Sequence, residues 1–598
     1  MNKVLLLILL GTFTLLFNSN NSQAQTAMNN VSGRHLISLN GKWNVLPDPT
    51  GSGNYREVWK ERKPQKKTDF VEYAFEGGPV VNVPGDFNTQ LPDAAFMEGT
   101  VWYKKTFNYT PKTKRLFLHF GAVNYLADVY LNGERIGQHE GGFTPFQFEI
   151  SGKVKEGINT LIVKVNNQRR SDGIPGTGYD WLNYGGITRD VNLIETDPTY
   201  IDDYFIQLKK HSLTEVMGWV KLNGNQPSQI IHVRIPELGI DYATQSNAEG
   251  MAEVKFNGKF NLWSPANPKL YKVIVESQTD TLTDEIGFRS IETKGTQILL
   301  NGKPIFLKGV NIHEENPYKG ARATSEADAS LLLNWAKELG CNMVRLAHYP
   351  HNENMIRQAE KMGIIVWSEI PVYQHIEFAT KGVPEKMDLM MREMVRRDRN
   401  RCAVAFWSIS NETYGTTPNR DNALTDLAQK TRQQDSTRLV ATVICTQGYS
   451  NNTFDVWDPL YKQFDVVSVN EYLGWYVPWQ GKPKEVKWKL VCPDKPLLIT
   501  EFGGEALYGS NFGPADEADS WREEYQEKIF KDQIEMFSTT PNLAGVCPWL
   551  LVDYRSPQRM HPSKQGGWNR KGLLSENGDK KKAWYVLKSY YEGIKNNY

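Results

Sequence analysis

A chain of 598 residues is too long for one hydrophobic core and implies several domains. Lys and Arg number 69 against 68 Asp and Glu, a net charge of +1, so nothing electrostatic argues for a nucleic acid or an acidic membrane surface as partner. Hydrophobic content of 40% and charged content of 23% are ordinary for a soluble globular protein.

Residues 1–24 read as an export signal: Lys3, then an apolar run from Val4 to Phe17, then Ser22-Gln23-Ala24 with small residues suited to a signal peptidase. The run is short for a stable span and no comparable one follows, so no membrane anchor is expected. With no cysteine nearby, a lipid anchor is not expected either, and the mature chain should be exported, periplasmic or secreted. The five cysteines, Cys341, Cys402, Cys445, Cys492 and Cys547, are odd in number and several border apolar runs, which favours buried free thiols over a disulfide framework. No CxxC or HExxH spacing occurs, so the sequence carries no metal signature and no cofactor is expected.

From about Asn30 to Thr196 short alternating strands are separated by turns. Ala127-Asp128-Val129-Tyr130-Leu131 meets Arg135-Ile136-Gly137 across Asn132-Gly133, a strong hairpin cue. Strands at this spacing without helices predict a β-sandwich over 25–196. The segment Tyr179-Asp180-Trp181-Leu182-Asn183-Tyr184-Gly185-Gly186 is aromatic, polar and Gly-rich at once. Residues 197–292 alternate again and fit an immunoglobulin-like sandwich.

From 293 to 598 strands alternate with helices. Strands are expected at Ile305–Val310, Asn342–Leu346, Ile364–Trp367, a segment ending at Glu412, Val440–Ile444, Val466–Val469, Leu497–Thr500 and Ala544–Trp549. Ser325 with Asp328 resembles a capping box before a helix closed by Gly340. Eight βα units in this length predict a TIM barrel. Residues after each strand then meet at one mouth: Asn311, His313, Glu314 and Glu315; Arg345, His348 and Tyr349; Glu369, Tyr373 and His375; Asn411 and Glu412; Asn470, Tyr472, Trp475 and Tyr476; Glu501; Trp549. A carboxylate at a strand end also serves as a helix cap, and a lone histidine such as His313 or His375 is often structural.

The apolar strand running into Asn411-Glu412, the strand delivering Glu501 into a Gly loop, the Gly309-Val310-Asn311-Ile312-His313-Glu314 segment and Trp549 together resemble glycoside hydrolase family 2, retaining β-galactosidases and β-glucuronidases. The resemblance implies a jelly-roll, an immunoglobulin-like domain and a catalytic barrel, with Glu412 as acid/base and Glu501 as nucleophile. It also implies a carbohydrate partner, Asp180 on a sugar hydroxyl, Arg345 keeping Glu501 ionised, Asn411 on the 2-hydroxyl, Tyr472 donating to the nucleophile and Trp549 as an apolar wall; Asn311, His313, His348 and Asn470 fall among the substrate-binding positions. Glu315 stands where the family commonly has aspartate. Asn569-x-Lys571 resembles the pair that holds a C6 carboxylate in family 2 β-glucuronidases, with Tyr476 in support, although Gln565 occupies a place where one subgroup has arginine. A terminal β-glucuronide is the expected substrate; β-galactoside, β-galacturonide and a non-catalytic carbohydrate-binding role are the alternatives, and a homo-oligomer is possible.

Overall fold

The computed structural model describes residues 23–62, 66–68, 73–445, 448–510, 513–516 and 521–596. The expected export signal lies almost wholly outside them. No helix among the described residues is long and apolar enough to cross a membrane, and all five cysteines are free.

The N-terminal part is a sandwich of a five-stranded and a six-stranded sheet, paired antiparallel and closed over one apolar core that includes Trp43, Tyr103, Phe120 and Val163. The hairpin signalled by Asn132-Gly133 joins Leu126–Leu131 to Glu134–Glu140, and both turn residues have positive φ, 53° and 86°. That turn matches the twist of the strands it connects. The second sandwich packs a three-stranded sheet on a four-stranded one.

The remainder is a parallel barrel. Its strands are β1 (Leu307–Lys308 continuing as Asn311–Ile312), β2 (Met343–Leu346), β3 (Ile365–Glu369), β4 (Val404–Asn411), β5 (Leu439–Cys445), β6 (Val467–Asn470), β7 (Leu497–Glu501) and β8 (Leu543–Val546). The first half of β1 pairs with β8 and the second half with β2, which closes the ring. Strand β1 runs two residues further than the sequence pattern indicates, so Asn311 lies in the strand; Arg345 and Glu369 likewise lie within β2 and β3.

Helices α1 (Glu326–Leu339), α2 (Glu353–Met362), α3 (Val383–Asp398), α4 (Pro418–Gln434), α5 (Glu523–Phe537) and α6 (Lys582–Gly593) surround the ring. Ser325 and Asp328 form the reciprocal capping box at α1, and Gly340 ends the helix at φ 95°. The expected run of eight βα units is not complete. Among the described residues the β5–β6 connection holds only a short 3-10 turn, Pro459–Gln463, and the β6–β7 connection only Pro483–Glu485. Their Pro- and aromatic-rich sequences instead build a small sheet from Tyr449–Ser450, Thr453–Val456 and Lys487–Leu490.

Buried ion pairs lock the jelly-roll to the barrel. Arg189 donates to Glu314 at 3.3 Å and to the Pro350 carbonyl at 2.6 Å, and Arg322 also donates to Glu314. Burial pushes the Glu314 carboxyl up, but the two guanidiniums outweigh it and hold it down at about 2. A depressed carboxylate contributes stability above its unfolded value, near 4.5, and that contribution is lost as pH falls towards 2. Glu314→Gln leaves two buried arginines short of a counter-charge and is expected to cost about 3–5 kcal/mol at pH 7. Denaturant melts at pH 7 and pH 3 check this: the gap between wild type and variant should narrow at the lower pH.

Candidate active site

Glu501 is the last residue of β7 and only 4% exposed. Arg345 Nη1 donates to its Oε1 at 2.8 Å and the Tyr472 hydroxyl to its Oε2 at 2.7 Å. Arg345 is fully buried, so its remaining contacts matter. It donates to both oxygens of Glu369 at 3.1 and 3.0 Å, to the Asn311 amide oxygen at 3.0 Å and to the Asn411 amide oxygen at 2.7 Å. Glu369, held at about 2 because Arg345 and His348 outweigh its burial, neutralises the guanidinium from behind.

Arg345 therefore favours the ionised form of Glu501, as the sequence resemblance implies, but it does not win. Burial, with the charge of Glu412, pushes Glu501 above the ordinary carboxylate value against the pull of Arg345. The acid limb of kcat/KM is accordingly expected above the usual glutamate value of about 4.3. Tyr472→Phe removes a donor to the anion; at about 1.5–3 kcal/mol for such a bond, the limb should move up by about 1–2 pH units. A pH–rate profile in which Tyr472→Phe leaves the limb unmoved would contradict the assignment.

Glu412 follows β4 with a positive φ of 52°, which turns its side chain out of the strand direction. Its N–H donates to the Val443 carbonyl at 2.8 Å. Asn470 donates to its Oε1 at 3.0 Å and Gln374 to its Oε2 at 2.9 Å, while Cys445 at the end of β5 lies near the same carboxyl. Burial, then Glu412, keep that thiol protonated. Asn411 accepts from Arg345 and Asn470 through its oxygen, and its amide nitrogen, buried, has no protein partner. That N–H2 is the group free to donate to a ligand.

Trp549, just past β8, stacks on His348 at 4.7 Å and 17° and stands edge-on to His313 and Tyr554. Trp181 from the jelly-roll packs against His313, His348 and Tyr373, so the aromatic wall is built from two domains. His348 Nδ1 bonds Glu369 at 2.8 Å. His313 is neutral, because burial and neighbouring cations push its pKa well down; its Nδ1 bonds the Tyr349 hydroxyl and its ring stacks on Tyr554. Asn311 braces the barrel. Its amide donates to the carbonyls of Thr500, Cys547 and Pro548 at 2.8, 3.1 and 2.9 Å, tying β1 to β7 and β8, and only its oxygen faces the site, onto Arg345.

A second cluster occupies the loops after β6, β7 and β8. Lys571 Nζ donates to the Tyr476 hydroxyl at 2.8 Å and to Glu505 at 3.3 Å; Arg559 Nη1 reaches the same two groups at 3.1 and 3.3 Å. Arg559 also donates twice to Asp180 Oδ2, at 3.1 and 2.7 Å, and Ser556 bonds Asp180 Oδ1. Asp180 thus reaches the barrel, but both its oxygens are already engaged there. Asn569 donates to the Tyr554 hydroxyl at 3.0 Å and accepts from the Lys571 N–H at 3.2 Å. Gln565 donates to both oxygens of Glu505. Burial pushes Glu505 and the Tyr476 hydroxyl up, but Lys571 and Arg559 outweigh it and hold both below their ordinary values.

The structure therefore gathers Glu412, Glu501, Arg345, His348, Asn411, Asn470, Tyr472 and Trp549 at the barrel mouth, with Asp180, Tyr476, Asn569 and Lys571 beside them; His375 packs instead at a tilt against Tyr414. Gln374, Cys445, Glu505 and Arg559 were not legible as site residues. Glu505 lies four residues past Glu501 in the Gly loop, a signal that could have been read; Arg559 sits in a polar stretch with no motif. Among the described residues no group of three or more His, Cys, Asp or Glu is placed to hold a metal ion.

Two carboxyls at one mouth, one accepting from two amides and the other gripped by a guanidinium and a phenol, can divide the work of glycosidic cleavage between proton transfer and attack on carbon. Comparison with known proteins agrees with that chemistry. A family profile described as "Glycosyl hydrolases family 2, TIM barrel domain" matches residues 291–596, "Glycosyl hydrolases family 2, sugar binding domain" matches 36–197, and "Glycosyl hydrolases family 2" matches 199–289. A β-glucuronidase of Mus musculus is 27% identical over 94% of this chain and 91% of its own length. A solved β-glucuronidase of an uncultured Clostridium sp. superposes with a TM-score of 0.81 at 26% identity, covering 96% of this chain and all of the other. A galacturonate-bound β-galacturonidase of Eisenbergiella tayi, 24% identical and covering 95% of this chain and 98% of its own, has the same fold at a TM-score of 0.79. The protein is a glycoside hydrolase and belongs to glycosyl hydrolase family 2.

Proposed function

We propose that the enzyme is a retaining exo-β-glucuronidase. Glu501 attacks the anomeric carbon while Glu412 protonates the leaving oxygen; a covalent glycosyl-enzyme forms, and Glu412 then deprotonates the water that releases the sugar with its configuration retained. Asn411 donates to the 2-hydroxyl, where contacts strengthen in the transition state, and Trp549 lies against the sugar's apolar face. The observation that carries the choice of sugar is the convergence of Lys571 and Arg559 on one edge of the mouth, 2.8 and 3.1 Å from the Tyr476 hydroxyl. Glu505 and Asp180 already balance these cations, but Lys571, Arg559 and the phenol still concentrate N–H and O–H donors on one edge, which suits a C6 carboxylate better than a neutral C6 hydroxymethyl. The β-glucuronidase relatives support the same reading.

A β-galacturonide presents the same carboxylate and differs at C4, so it is the second reading. A panel of nitrophenyl β-D-glucuronide, β-D-galacturonide and β-D-galactoside, with the product anomer followed by NMR, tests both. Glucuronide should be cleaved fastest, with the β-anomer appearing first. Preference for galactoside, or first release of the α-anomer, would overturn the proposal.

Residues 1–24 support a further part of the proposal, that the chain is exported and cleaved after Ala24. N-terminal sequencing of protein recovered from the periplasm or medium should read Gln25; recovery of uncleaved chain in the cytosol would contradict it.

A further inference from the structure

The proton donor marks where the leaving group sits, so groups around Glu412 that face solvent, and that bond cleavage itself does not use, bear on what the enzyme releases. Three of them come from two loops. Gln374 and His375 follow β3, and Tyr414 is two residues past Glu412. Gln374 Nε2 grips Glu412 at 2.9 Å, and the Gln374 carbonyl accepts the Tyr414 N–H at 3.3 Å, so one residue positions both the acid and the ring. The Tyr414 ring stands against His375 with centroids 4.6 Å apart, which covers one side, yet 49% of the residue is exposed. Burial and the nearby charge of Glu412 push its hydroxyl up to about 12.

The jelly-roll backs this arrangement. A Cβ at Gly176 would stand 2.4 Å from the His375 carbonyl oxygen, so the close approach of that segment requires glycine, and Gly178 lies against the His375 ring. A half-exposed aromatic is unremarkable when it stands alone on a surface. Here it is braced by a second ring, by a second domain and by the residue that holds the proton donor.

We infer that Tyr414, braced by His375, is the platform of a leaving-group subsite, and that its occupant is a sugar ring rather than a planar aromatic. The inference rests on the glycosidase assignment of Glu412 and deepens it. A planar aromatic would be held best in a slot with two apolar walls; Tyr414 offers one face, beside the exposed polar stretch Gly415, Thr416 and Thr417. A pyranose matches that combination, its C–H face on the ring and its hydroxyls at the edge. The enzyme would then remove a terminal sugar from an oligosaccharide.

The test measures kcat/KM of wild type, Tyr414→Ala and Tyr414→Phe on three substrates sharing one glycone: a β-linked disaccharide, the phenyl glycoside and the methyl glycoside. The glycone is whichever one the wild type cleaves fastest, so a failure of the glucuronide reading shows in that choice and not in the Tyr414 ratios. Tyr414→Ala should lower the disaccharide-to-methyl ratio by at least roughly tenfold, and Tyr414→Phe should largely restore it. An unchanged ratio in Tyr414→Ala, or an equal fall for all three substrates, would overturn the platform. A fall confined to the phenyl glycoside would overturn the sugar occupant.

Discussion

Glu501→Gln should abolish turnover, lowering kcat by at least about 10⁴-fold, while the protein melts within a few degrees of wild type. The amide keeps the size of the carboxylate and can still accept from Tyr472, which donates to that side chain at 2.7 Å. Arg345 does not lose its only counter-charge, because Glu369 bonds it through two oxygens at 3.1 and 3.0 Å. Relief of the repulsion between Glu501 and Glu412 partly offsets the lost ion pair. What the variant lacks is a nucleophile: among the described residues the carboxylates paired with Arg345 are Glu369 and Glu501 alone.

Glu412→Ala should behave differently, and the difference separates the two roles. A nitrophenolate leaves with little need of a proton, so the first step survives and the glycosyl-enzyme accumulates; added azide, which needs no general base, should restore turnover as the β-glycosyl azide. If azide rescued Glu501→Gln as the β-glycosyl azide, with configuration retained, while Glu412→Ala stayed inert or gave the inverted α-glycosyl azide, the assignments would have to be exchanged.

The second large effect concerns Lys571. Its ammonium is buried between Tyr476 and Glu505. Lys571→Ala should lower kcat/KM for a glucuronide by about 30- to 900-fold, corresponding to 2–4 kcal/mol for truncating one partner of a buried charge pair. Part of that loss belongs to Glu505, which is left with Arg559, Gln565 and the Arg570 N–H as partners. The double variant Lys571→Ala/Glu505→Gln distinguishes the two contributions. It should recover thermal stability without recovering glucuronide turnover, whereas recovery of turnover would mean that Lys571 only neutralises Glu505.

Arg559 explains why this edge of the site was only half legible in the sequence. Gln565 stands where an arginine is expected, which suggests a weakened anion site. The fold supplies a guanidinium from six residues earlier in the same loop, held in place by Asp180 from another domain. No sequence spacing reveals that, because it depends on where the jelly-roll loop docks. The two carboxylates were legible because each ends a buried apolar strand, and barrel topology then places them at one mouth. Asn311 reads as loop for a local reason: β1 extends two residues past the apolar run that signals it, so it is a strand residue whose amide reaches neighbouring carbonyls. The upward shift of Glu501 lay beyond sequence reasoning as well, since it depends on how completely its surroundings exclude water rather than on the presence of Arg345.

The most direct test of the central claim is the ratio of kcat/KM for nitrophenyl β-D-glucuronide to that for nitrophenyl β-D-galactoside, measured in wild type and in Lys571→Ala. A ratio well above one that falls at least roughly tenfold in the variant is the predicted result. A ratio below one in wild type, unmoved by the substitution, would contradict the uronate reading and make the enzyme a neutral-sugar glycosidase whose lysine serves only the fold.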